Sequence, residues 1–279
     1  MYPRPQPMAW TVSRSWPASV GMTVRATWPI LLLAAGGPGA AWADPPAPEI
    51  AWDQDLAFEH DRGNYQRMLA GIVDEAWRTV QAETGLATRR AVKVRVHSRA
   101  GYEAAFGTGA ARNRGAHYSR GEIHVNGGNR LDDGFAGAMA HEMVHAFLDG
   151  QGTSWRLPTW LNEGLAERVA WQRKGLQDLA PNQVEELKYA GRRRLLTPLP
   201  VRGLAREQYL YCYAAVLFVE RKAGREKLLA VVRRTLEGEP FERALDRETR
   251  WKVADLEREF AAAIRGAELG ARVGLVNDG

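Results

Sequence analysis

Two histidines four positions apart, His141 and His145, with Glu142 between them, are the residues of this 279-residue chain best placed to do chemistry. Four residues is slightly more than one helical turn, so on a helix both imidazoles leave the same face and can chelate one ion without distorting the backbone. Glu142 is offset by about 100° and stands beside such an ion, where it can take a proton from an activated water without acting as a ligand. The flanking Met139, Met143, Val144, Ala146, Phe147 and Leu148 predict a buried helix. In such a place two imidazoles and a carboxylate are costly unless they coordinate something. A tetrahedral catalytic Zn2+ needs one further protein ligand and one open position. The run Leu157-Pro-Thr-Trp-Leu-Asn-Glu-Gly-Leu-Ala-Glu offers it: Pro158 suits a first helical turn, and Glu163 follows His145 by eighteen positions. Glu167 lies one turn further on, placed to accept the other ring N–H of a ligating histidine.

Several elements must hold these residues. From Asn64 to Gly85 apolar residues recur at Tyr65, Met68, Leu69, Ile72, Val73, Ala76, Trp77 and Val80, which predicts a helix with one buried face. Val92, Val94 and Val96 alternate with Lys93, Arg95 and His97, a half-buried strand. Gly115–Ser119 and Glu122–Asn126 flank Arg120-Gly121 and read as a hairpin. Glu122–Asn126, just before the His141 helix, is expected to be the edge strand that receives an extended ligand by main-chain pairing. From Asp132 onward the pattern is helical. The order of elements predicts an α+β fold with a small sheet near the N-terminus and a helical C-terminal half. His97, His117 and His124 are expected as partly exposed sheet residues, the tryptophans after residue 43 as core, and Cys212 as a buried inert thiol.

With these motifs in hand, His141-Glu142-x-x-His145 followed by Trp160-Leu-Asn-Glu-Gly-Leu-Ala resembles the gluzincin clan of zinc peptidases, especially the peptidase MA-like domains related to thermolysin and the alanyl-aminopeptidases. The resemblance extends in order of elements from about Val92 to Ile264. It implies a zincin-like fold, with a small mixed sheet whose edge strand lies beside the active-site helix. It also implies His141, His145 and Glu163 as zinc ligands, Glu142 as general base, and Glu167 as the carboxylate behind a ligand histidine. The Gly-x-Met-Glu-Asn signature by which the aminopeptidases hold a free amine is absent, so exopeptidase activity is not implied. All six histidines lie at or before position 145, so the late histidine that thermolysin-like enzymes aim at the tetrahedral intermediate has no counterpart. Tyr211-Cys-Tyr-Ala-Ala resembles the aminopeptidase pattern Tyr-x-x-Gly-Ala, which points to Tyr211 as the oxyanion donor. Tyr209 and Tyr213 share the opposite face of that helix.

Composition bounds the rest. The net charge of +5 includes Arg4, Arg14 and Arg25, which lie in a first stretch of 43 residues without any acid; beyond it 35 basic residues face 33 acidic ones. That scattered balance argues against a nucleic-acid partner. From Met22, read as the true start, the chain shows a basic n-region at Arg25, an apolar run from Ala26 to Ala35, and Ala41-Trp42-Ala43 before Asp44. Residues 1–43 are thus expected to be a signal peptide, with no stable membrane anchor after cleavage and a periplasmic or secreted product. Residues 44–60 read as an extended linker, 61–265 as the metallopeptidase domain and 266–279 as a flexible tail. The expected activity is hydrolysis of a peptide or protein substrate; the rival expectation is a non-catalytic zincin-fold module for binding or assembly in the cell envelope.

Overall fold

The computed structural model describes residues 46–54, 56, 62–88, 90–173, 178–191, 204 and 206–266. The segment read as a signal peptide lies outside them, as do Arg192–Arg194 and the tail after Gly266. Four strands, β1 (Glu49–Trp52), β2 (Lys93–His97), β3 (Ala116–Ser119) and β4 (Glu122–Asn126), form one mixed sheet in the order β1-β2-β4-β3. The pairs β1–β2 and β2–β4 are parallel, whereas β3 and β4 are antiparallel. The β3–β4 hairpin turns through Arg120 and Gly121, both at positive φ (54° and 83°). That is the condition for a two-residue type I′ turn, whose twist matches the strands it joins.

Two expectations need correction. The stretch 44–60 is not wholly linker, because Glu49–Trp52 pairs with Lys93–Val96 as an edge of the sheet. At the other edge, Glu122–Asn126 is interior, hydrogen-bonded on both sides, and β3 is the edge strand. Strand order is a non-local property; β4 is the second strand of the hairpin but also pairs back onto β2, leaving β3 outside.

Helices supply the remainder. α1 (Arg62–Thr84) buries Leu69, Val73, Ala76 and Val80 and ends where Gly85 turns to φ 64°. α2 (Arg99–Phe106) and α3 (Thr108–Asn113) bridge β2 to β3. α4 (Asp133–Asp149) carries His141 and His145; the Asp132 side chain caps it by accepting from the Phe135 N–H at 3.0 Å. A 3₁₀ turn at Ser154–Arg156 leads to α5 (Thr159–Arg173), which carries Glu163. α6 (Pro181–Gly191), α7 (Arg206–Ala223), α8 (Arg225–Leu236), α9 (Phe241–Thr249) and α10 (Val253–Arg265) complete the helical half. No helix among the described residues is long and apolar enough to cross a membrane.

α7 is the central helix: every residue from Leu210 to Val219 is buried. Cys212 lies among them, and burial pushes its thiol up to about 12, so the inert reading holds. Among the tryptophans, Trp160 is buried, but Trp155 is 75% exposed on the 3₁₀ turn under the Arg156 guanidinium, a correction to its assignment as core. α5 meets α7 at Gly164, where a Cβ would overlap the Cys212 carbonyl oxygen and come within 2.6 Å of Val216 Cγ2. Main chain cannot yield as a side chain can, so Gly164→Ala must push the helices apart. A cost of about 1–3 kcal/mol is expected, seen as a Tm lowered by roughly 3–10 °C. An unchanged Tm in calorimetry would show that the two helices are less tightly set than this contact requires.

Candidate active site

α4 and α5 bring together the three residues singled out from sequence. His141 Nε2 and His145 Nε2 lie 3.1 Å apart, and Glu163 Oε2 lies 3.4 Å from each. Ligands about 2.0–2.1 Å from a tetrahedral ion are roughly 3.3–3.5 Å from one another, so this triangle has the size of one face of such a polyhedron. Glu163 Oε2 is buried and accepts no well-formed hydrogen bond, although two imidazole nitrogens face it. The three are the one group of potential metal ligands of this kind among the described residues.

The outer ring nitrogens are held as ligands require. Glu167 Oε1 lies 3.1 Å from His141 Nδ1, and Glu167 Oε2 accepts from Trp171 Nε1 at 2.8 Å. His145 Nδ1 lies 2.8 Å from Asn162 Oδ1. Each acceptor favours the tautomer with the proton on Nδ1, which leaves Nε2 with a lone pair aimed at the centre of the triangle. Burial opposes protonation of His141, but the Glu163 and Glu167 carboxylates outweigh it and raise the imidazole well above its ordinary range. Burial likewise opposes ionisation of Glu163, and the two imidazoles overcome it, holding the carboxyl far below the usual carboxylate range. The cluster calls for positive charge where the nitrogens converge, and a divalent cation answers that demand as well as protons do.

Glu142 projects from α4 toward β3, and its Oε2 accepts from the Tyr118 backbone N–H at 2.7 Å. That bond orients the carboxylate and defines the strand's geometry. In an antiparallel pair a residue's N–H and C=O point to the same side. Gly115 accepts from Asn126 of β4, and Tyr118 reaches outward to Glu142, so Ala116 and Tyr118 present their main-chain groups to the open side. Both border a cleft of about 580 Å³ that also contains the histidines, Glu163, Glu167 and Tyr209. The Tyr118 hydroxyl donates to Asp149 at the far end of the cleft.

Tyr211 is not in this cleft. Its ring packs on Phe260 of α10, with centroids 5.0 Å apart, and is 4% exposed. Tyr209, two positions earlier and about 200° round the helix, has its ring centroid 6.1 Å from that of His141 and lines the cleft. Tyr213 shares its face but stacks on Trp171. The expectation that Tyr211 reaches the site is therefore corrected, and Tyr209 lines the cleft in its place: α5 covers the 209/213 face of α7, and α10 covers the other. Burial, reinforced by Glu163 and Glu142, pushes the Tyr209 phenol up to about 12, so it keeps its proton at any ordinary pH.

Of the sheet histidines, His117 and His124 are partly exposed as expected, and His97 departs from that expectation. His97 is buried, its Nδ1 3.0 Å from Asp53 and its Nε2 3.0 Å from His124 Nδ1. His117 Nδ1 lies 2.5 Å from the buried Tyr102 hydroxyl, and burial lowers the imidazole to about 4. α2 covers this face of the sheet through Tyr102 and Phe106, which a strand-by-strand reading cannot foresee.

Residues 55–187, just under half of the chain, match the model of a family described as peptidase of plants and bacteria. The match spans β2 to β4, α4 and α5, with every motif residue from His141 to Glu167, and stops short of Tyr209. No curated protein and no solved structure gives a match.

Proposed function

We propose that the protein is an exported zinc-dependent peptidase of the gluzincin type, with His141, His145 and Glu163 as metal ligands and Glu142 as general base. The observation that carries this reading is the triangle of Nε2, Nε2 and Oε2 atoms at 3.1–3.4 Å with Glu142 beside it. The similarity to a peptidase family supports peptides or proteins as the substrate class, and the Ala41-Trp42-Ala43 segment supports export.

Zinc held by this set supplies Lewis acidity for the scissile carbonyl and makes a water nucleophilic near neutral pH. The chain's own groups do the rest. An extended peptide lies along the outward edge of β3, its backbone facing Ala116 and Tyr118. Glu142, held by the Tyr118 N–H, takes the proton of the attacking water and returns it to the leaving amine, so no acyl-enzyme forms. Tyr209 keeps its phenolic proton and donates it in a hydrogen bond to the oxygen that gains charge in the transition state. A pure binding module has no use for a carboxylate fixed beside the ligands in this way.

The reading is tested by zinc content and by hydrolysis of an unfolded protein substrate: one Zn2+ per chain and cleavage abolished by a chelator are expected, and metal-free protein that cleaves equally well would overturn it. For Tyr209→Phe, loss of one donor is expected to lower kcat by about 10²–10³ with little change in KM, since the bond forms only as the oxyanion develops. Tyr211→Phe, whose hydroxyl lies on the other side of α7, is the matched control. The assignment fails if Tyr211→Phe is the impaired variant, or if neither is.

A further inference from the structure

The charged groups of the cleft are partnered with one exception. Glu142 accepts from the Tyr118 N–H, Glu163 faces both histidines, Glu167 bonds His141 and Trp171, and Asp149 accepts from the Tyr118 and Ser154 hydroxyls. Arg114 also lines the cleft, yet no carboxylate among the described residues pairs with its guanidinium. It is exposed, immediately before β3, and the adjoining Gly115 lies against the Phe135 ring in the first turn of α4. Arg114 thus stands at the opposite end of α4 from Asp149. The fifteen residue steps from Gly134 to Asp149 correspond to roughly 22 Å of helix, so the two ends of the cleft carry opposite charge.

We infer that Arg114 is a specificity-determining residue that receives a carboxylate of the substrate, so that the cleft selects peptides bearing an acid at the end that lies by the start of β3. The inference rests on the reading of the cleft as a peptide-hydrolysing site and names what that site prefers. An arginine presents a planar fork of donors that matches a carboxylate, and here nothing in the described protein occupies that fork. Its charge is felt within the cleft, for it acts to lower the phenol of Tyr209 against the effect of burial and adds to burial in lowering the imidazole of His117. An acid placed beside Asp149 meets repulsion, and one placed beside Arg114 meets attraction; this asymmetry sets substrate direction as well as composition. The carboxylate can belong to an Asp or Glu side chain or to the chain terminus, since both offer the same two oxygens.

The test uses the mature zinc-loaded protein and internally quenched peptides in which one Glu, Gln or Lys is walked through four positions on each side of the cleaved bond, each made as free acid and as amide. At one position the ratio of kcat/KM for Glu over Lys is expected to reach about tenfold, because an attractive pair is exchanged for a repulsive one, and to shrink between 50 and 500 mM NaCl. Arg114→Lys should keep part of the ratio, Arg114→Gln should reduce it to below threefold, and Arg114→Glu should reverse it. If the free acid outperforms the amide at one chain length while the Glu walk is flat, the carboxylate is the terminal one. Binding of the same peptides to Glu142→Gln protein, read by fluorescence anisotropy, separates this inference from the peptidase reading. Charge preference in binding that depends on Arg114, without any cleavage by the parent protein, sustains the inference and removes the peptidase reading. Cleavage without charge preference, or with a preference that survives Arg114→Glu, overturns the inference alone. Peptides neither bound nor cleaved overturn both.

Discussion

Glu142→Gln is expected to lower kcat by about 10²–10⁴ while one zinc per chain is retained, which is the range over which a positioned general base contributes. Glutamine has the shape of glutamate, and its carbonyl oxygen can still accept from the Tyr118 N–H that now binds Oε2 at 2.7 Å. The side chain therefore stays in place, the triangle of His141, His145 and Glu163 is untouched, and the variant differs in one capacity: an amide oxygen does not take up a proton near neutral pH. Metal analysis and steady-state kinetics on the same preparation make the check. Equal turnover in the two forms would remove Glu142 from the chemistry and leave the ligand set standing.

Alanine at His141, His145 or Glu163 is expected to weaken zinc binding by well over a hundredfold, because loss of an outer partner alone costs about 10–100-fold and these residues supply the donor atoms themselves. A graded series follows from the geometry. Asn162→Ala and Glu167→Gln, which disturb the 2.8 Å and 3.1 Å contacts behind the histidines, should fall in that lower range. His141→Ala carries a second effect. Glu163 and Glu167 lose the imidazole that holds their charges, so two largely buried carboxylates are left facing each other and stability falls as well. Competition with a chromophoric chelator measures affinity, and calorimetry separates the loss of stability. Stoichiometric zinc in a His141→Ala, His145→Ala double variant would show that the metal sits elsewhere.

What could be read along the chain was local. The heptad-like recurrence of Leu69, Val73, Ala76 and Val80 announced α1, and Arg120-Gly121 announced the hairpin, because helical period and turn chemistry act over a few residues. Asn162 left a fainter signal. His145 needed an acceptor behind it, and a polar residue beside Glu163 on an otherwise buried helix was available, but spacing alone did not single it out. The network of Asp53, His97 and His124 left none, since its members come from three separate segments and meet only when β1, β2 and β4 pair in the sheet.

The sequence by itself determined the core of the site: His141, Glu142 and His145 are fixed to one another by the pitch of a single helix, and no packing can part them. Glu163 and Glu167 were legible for the same reason once α5 was recognised. Which strand borders the cleft, and which face of α7 looks into it, were decided only in three dimensions. Strand order depended on β4 pairing with β2 in preference to remaining at the edge, and the choice between Tyr209 and Tyr211 depended on which neighbours, α5 or α10, covered each side of a helix that is apolar all round. A helix buried on every face carries no amphipathic signal from which its orientation can be read, so that orientation is set by the partners that close on it.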